Sequence, residues 1–140
     1  MGLVTQETIL LLQDDRAVME HMRGILKRYI LIEAATADQA LRRFSDCGRH
    51  VDLLVANVTI AASSGVEVAL AFRSELPRLP VIISSGLPTS LWSQRNKAAF
   101  GLLGPELVAV VERPILTQAL FDTVWELLGS AHTRKALTAS

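Results

Sequence analysis

An open three-layer α/β/α domain on a five-stranded parallel sheet is the fold class predicted by three features of the sequence. Five short apolar runs recur along the chain, each too short for a helix and without strict alternation, as strands covered on both faces should read. Helical patterns separate these runs, so each strand returns beside another through a right-handed crossover. The length, 140 residues, gives room for one domain with a real core and little else. In such sheets ligands bind at the carboxyl ends of the strands.

Residues 9–12 form the first expected strand. Residues 17–29 follow as a helix, with Val18, Met22, Ile25, Leu26 and Tyr29 at three- and four-residue steps along one stripe. After the second strand, 30–32, residues 38–44 repeat the rhythm with Ala40, Leu41 and Phe44. The third strand is 53–55, and residues 66–76 then present Val66, Ala69, Leu70, Phe72 and Arg73 before Pro77 stops the helix. Beyond the fourth strand, 81–83, the segment 87–105 reads as a short helix and an irregular loop. Its Pro88-Thr89-Ser90 looks like a helix start, and Gly101, Gly104 and Pro105 break the pattern. The fifth strand is 107–111, and the last helix, 117–128, carries Leu120, Phe121, Val124, Trp125 and Leu128 as its core stripe. Residues 130–140 read as a frayed polar tail, so a single domain over 1–140 with a core of about 7–128 is expected.

With 14 Lys+Arg against 14 Asp+Glu, the chain has no basic field to hold DNA, RNA or an anionic membrane. Mean hydropathy is high at +0.34, yet the longest apolar runs, 68–72 and 107–111, cannot span a bilayer. Cys47 is the only cysteine, which rules out a disulfide framework within one chain and fits a reducing cytoplasm. The amino terminus places Glu7 before its apolar run and lacks a basic leader, so it does not read as a secretory signal. His21, His50 and His132 lie far apart and read as surface residues, no glycine-rich phosphate loop follows a strand, and Ser63-Ser64-Gly65 reads as a helix cap.

Polar residues converge where the strands end. The first strand runs into Gln13-Asp14-Asp15, the third into Asn57-Val58-Thr59, the fourth into Ser84-Ser85-Gly86 and the fifth into Glu112-Arg113-Pro114. In order and spacing these endings resemble those of response-regulator receiver (CheY-like) domains over about residues 7–128. The stretches that carry the resemblance are ILLLQDD, IEAATADQAL, VDLLVANV, SSGVEVA, LPVIISSG and ERPILTQALFDTV, and two of them are similar to receivers of hybrid histidine kinases. The resemblance implies a flavodoxin-like sheet of order 2-1-3-4-5, with two helices on one face and three on the other. It also implies a bacterial two-component or phosphorelay signalling module and not an enzyme.

Receivers hold Mg²⁺ with an acidic pair after the first strand and an aspartate ending the third. That aspartate accepts the phosphoryl group, a Ser/Thr after the fourth strand and a lysine after the fifth bind it, and an aromatic on the fifth strand acts as a switch. Here the matching positions hold Gln13 and Asp14 with Asp15 beside them, then Asn57 as phosphoacceptor position, Ser85, Arg113 and Val110. An amide cannot form the usual acyl phosphate, and two negative charges have gone from the pocket. Mg²⁺ binding at Asp14 is therefore expected to be weak or lost, with no other cofactor. Arg113 is expected to close the pocket from within by pairing with Asp14 and the Asn57 carbonyl. The expected function is a pseudo-receiver, stand-alone or part of a larger protein, acting through phosphorylation-independent protein contact. The alternatives are phosphorylation on Asp14 or Asp15, or a pocket repurposed for a small ligand. The expected partner is a histidine kinase or another signalling protein, or a second copy. Contact is expected along the fourth helix, fifth strand and fifth helix, where Trp92, Phe100, Leu102 and Leu103 either form an apolar surface patch or close the core beneath the longer loop.

Overall fold

The computed structural model describes residues 6–139, with side chains described up to residue 131. Strand β1 (Thr8–Leu12) leads to α1 (Arg16–Ile25), β2 (Ile30–Ala34), α2 (Ala37–Asp46) and β3 (Leu53–Asn57). A small antiparallel hairpin, β4 (Thr59–Ile60) with β5 (Ser63–Ser64), precedes α3 (Gly65–Glu75) and β6 (Val81–Ser85). A single 3₁₀ turn (Thr89–Leu91), α4 (Gln94–Leu103), β7 (Val108–Glu112) and α5 (Thr117–Ala139) complete the chain. The main sheet is wholly parallel in the order β2-β1-β3-β6-β7, which is the expected 2-1-3-4-5 once the hairpin strands are counted.

Successive side chains on a strand point to opposite faces. Leu10, Leu12, Leu54, Ala56, Val81 and Ile83 therefore pack on α2, α3 and α4, where Phe44 and Phe72 stack with centroids 4.1 Å apart. Ile9, Leu11, Leu53, Val55 and Ile82 face α1 and α5. Three helices on one face and two on the other match the expectation. Asp15, Thr36, Ser64 and Ser93 cap α1 to α4, each accepting the amide three residues on, and such a cap contributes ~1 kcal/mol. No helix among the described residues is long and apolar enough to cross a membrane.

Three expectations need correction. Trp125 is 65% exposed, because Leu120, Val124 and Leu128 carry the α5 contact and the next residue is turned about 100° away. Leu41 is likewise exposed beside the buried Ala40. The last helix does not end at Leu128: α5 continues to Ala139 through a stretch free of proline that holds three alanines, where a frayed tail was expected. The side chain of His132 lies outside the described residues.

Candidate functional site

Sheet register assembles the site. Asn57 pairs with Ser84 and Ser85 with Glu112, while Val58 and Arg113 donate their backbone N–H groups to the carbonyls of Ser84 and Ser85. Gln13 follows Leu12, which pairs with Ala56, so its side chain enters beside Asn57. The close approach of α3 to β3 requires glycine, since a Cβ on Gly65 would stand 1.9 Å from the Asn57 carbonyl oxygen. That approach also lets the Gly65 N–H donate to Val58 O at 3.0 Å.

A continuous line of hydrogen bonds crosses the strand ends. Gln13 Nε2 donates to Ser84 Oγ at 3.0 Å, Ser84 Oγ donates to Asn57 Oδ1 at 3.3 Å, and Arg113 Nη2 donates to the same oxygen at 3.0 Å. Asn57 Nδ2 donates to Thr59 O at 2.7 Å, so both ends of this amide are committed. Gln13 is only 2% exposed, where a neutral amide is far cheaper to hold than a carboxylate. Arg113 does reach Asn57, as expected, but the expected ion pair with Asp14 is not made. Asp14 Oδ2 instead accepts the Ala61 N–H at 2.8 Å, anchoring the hairpin turn where Ala61 takes a left-handed φ of 52°. Asp15 caps α1.

The Ser85 hydroxyl is saturated. It donates to Leu87 O at 2.6 Å and accepts the Leu87 N–H and the Trp92 indole N–H, each at 3.0 Å. One donor and two lone pairs are all that a hydroxyl has. Of the two places open to Trp92, surface patch or core, the structure selects the core. The 3₁₀ turn at Thr89–Leu91 folds it inward to 6% exposure, edge-on to Phe100 with centroids 5.3 Å apart. Leu103 is buried too, Phe100 is half-buried, and of that expected patch only Leu102 is exposed. Val110, at the position of the switch aromatic, is half-buried on β7 against the core cluster that contains Trp92.

A cavity of about 470 Å³ opens over these residues, bounded by the β4–β5 hairpin, Gly86, Leu87 and the start of α4. Its rim is tied across: Ser64 Oγ donates to Asn96 Oδ1 at 2.6 Å, and Arg95 forms a two-bonded ion pair with Glu67 that lowers the Glu67 pKa. The donor set does not match what Mg²⁺ asks for. Hard carboxylate oxygens are needed, whereas Gln13 presents an amide N–H to Ser84, a guanidinium sits 3.0 Å from Asn57 Oδ1, and Asp14 is held by the Ala61 N–H outside the lining of the cavity. Ser84, Trp92 and Asn96 are the contributors that sequence reading missed. The run Ser84-Ser85 was visible as a strand end, but nothing in it says which hydroxyl bonds to which amide.

No family model matches the sequence, and no curated protein matches it. Solved structures do. The signal receiver domain of an HD domain-containing protein from Pseudomonas fluorescens Pf-5 superposes with a TM-score of 0.81 at 22% identity, over 97% of each chain. The CheY-like response regulator receiver domain protein of Methanospirillum hungatei JF-1 gives 0.79 at 20% identity, over 93% of this chain and 99% of that one. NtrX from Brucella abortus gives 0.81 at 19% identity over 96% of this chain, but only 29% of NtrX is covered. With its sheet order, helix distribution and these superpositions, the chain has the fold of response-regulator receiver domains.

Proposed function

We propose that the chain is a signalling module of the two-component type that works by preformed protein contact and not by aspartyl phosphorylation. The carrying observation is Asn57, whose amide accepts from Ser84 and Arg113 while donating to Thr59 O. A group so held is neither a nucleophile nor a Mg²⁺ ligand. The saturated Ser85 hydroxyl and the inward-fixed Trp92 support the same reading, since a phosphoryl group would have to displace bonds already made.

The partner in this reading is a histidine kinase or another signalling protein, or a second copy meeting it along α4, β7 and α5. Those elements and their adjoining loops expose Leu91, Leu102, Leu116 and Trp125. The decisive experiment is incubation with Mg²⁺ and acetyl phosphate, read by intact mass. The expected result is no added phosphoryl group. A single phosphoryl adduct mapped to Asp14 or Asp15 would overturn the proposal.

A further inference from the structure

We infer that the cavity over Asn57 and Arg113 binds a small amphipathic carboxylate, its charge on the Arg113 guanidinium and its apolar body against Leu87, Leu91 and Trp92. The volume, about 470 Å³, suits such a ligand, since small-molecule sites typically span ~300–1,000 Å³ with mostly apolar walls and a few converging polar groups.

Charge accounting selects the ligand class. Among the described residues no carboxylate lines the cavity, and its second cation, Arg95, is already neutralised by Glu67. Among the described residues the Arg113 guanidinium donates to the neutral oxygen of Asn57, and its buried Nε has no acceptor there. A carboxylate at position 57 would have neutralised this guanidinium, whereas the amide leaves its full charge at the edge of a cleft that carries Leu87, Leu91 and Trp92 on one wall. There an anion is held more strongly than in water, and a planar carboxylate matches the guanidinium fork.

Inorganic phosphate fits less well. The Ser85 hydroxyl has no free lone pair or proton, and a tetrahedral ion leaves the wall of Leu87, Leu91 and Trp92 uncovered. Of the phosphorylation-independent reading, this inference uses only the neutral state of Asn57, so an acetyl phosphate result on Asp14 or Asp15 leaves it standing.

The chain has two tryptophans, so Trp125→Phe makes Trp92 the sole reporter on the cavity wall. Sodium hexanoate should change Trp92 emission saturably and raise the thermal midpoint, with a Kd of about 1 mM or tighter. Hexan-1-ol and inorganic phosphate should do neither. Arg113→Gln should weaken hexanoate at least ~10-fold, and Arg113→Lys, which keeps the charge without the fork, should stay within ~10-fold of the parent. Should neither Arg113 variant fold, Asn57→Asp provides the same test, because its carboxylate competes for the guanidinium and should weaken hexanoate at least ~10-fold. The inference is overturned by any of four results: no saturable response to hexanoate, an equal response to hexan-1-ol, a response to phosphate in place of hexanoate, or unchanged affinity in a folded Arg113→Gln or Asn57→Asp protein.

Discussion

Replacing Trp92 by alanine removes an indole that is 6% exposed, ends its edge-on contact with Phe100 and frees one lone pair of Ser85. Truncating a buried aromatic of this size costs ~3–5 kcal/mol, because the cavity left behind collapses only in part. In a domain of this length that loss lowers the thermal midpoint by roughly 10 °C or more. Trp92→Phe separates packing from the polar contact: it retains an aromatic ring but deletes the N–H, and the lost hydrogen bond should account for about 1 kcal/mol. A double-mutant cycle of Trp92→Phe with Ser85→Ala should then give a coupling of ~0.5–1.5 kcal/mol, measured by urea unfolding followed by circular dichroism. Stability of Trp92→Ala within ~0.5 kcal/mol of the parent would place the indole on the surface and refute the account of Ser85.

Gly65→Ala forces a Cβ to within 1.9 Å of a backbone oxygen, so it should cost at least ~3 kcal/mol and displace Asn57, visible as large amide shifts at 57–59 in NMR spectra. Arg73 donates to the carbonyls of Leu79, Leu103, Glu106 and Leu107, and Arg73→Met should cost ~2 kcal/mol and speed hydrogen exchange at the end of α4. Glu33 has its pKa lowered, chiefly by the hydrogen bond from Arg23, so the pair stabilises the fold above the ordinary glutamate range and loses this as pH falls through the lowered value. Arg23 is half exposed, so Glu33→Gln should cost under ~1 kcal/mol at pH 7, and its stability should converge on the parent's in acid.

The sheet was legible because parallel strands buried on both faces must be short apolar runs, and 53–55 and 81–83 can be little else. The convergence of Gln13, Asn57, Ser85 and Arg113 was legible because register follows from strand order. Side-chain direction was not. Trp92 and Trp125 are equally apolar, and only the 3₁₀ turn before one and the helical phase of the other decide that the first is buried and the second exposed. Nor could charge counting tell that Asp14 would hold the Ala61 amide and leave Arg113 to Asn57, a choice made by the small hairpin that no hydrophobic pattern announces.

The hydrogen-bonded line from Gln13 through Ser84 and Asn57 to Arg113 makes these positions one unit of variation. Gln13→Asp alone removes the donor on which Ser84 Oγ depends. Asn57→Asp alone sets a carboxylate oxygen against the Thr59 carbonyl, 2.7 Å from the atom it replaces. Arg113→Lys alone trades a planar fork for a single ammonium. Each single step alters a hydrogen bond on which a neighbour relies, so the effects of the three changes should be coupled and not additive. Mutational scanning that changes one residue at a time would therefore misjudge what the three positions accept together. A carboxylate pocket on this backbone is best sought in combinatorial libraries that change positions 13, 57 and 113 jointly.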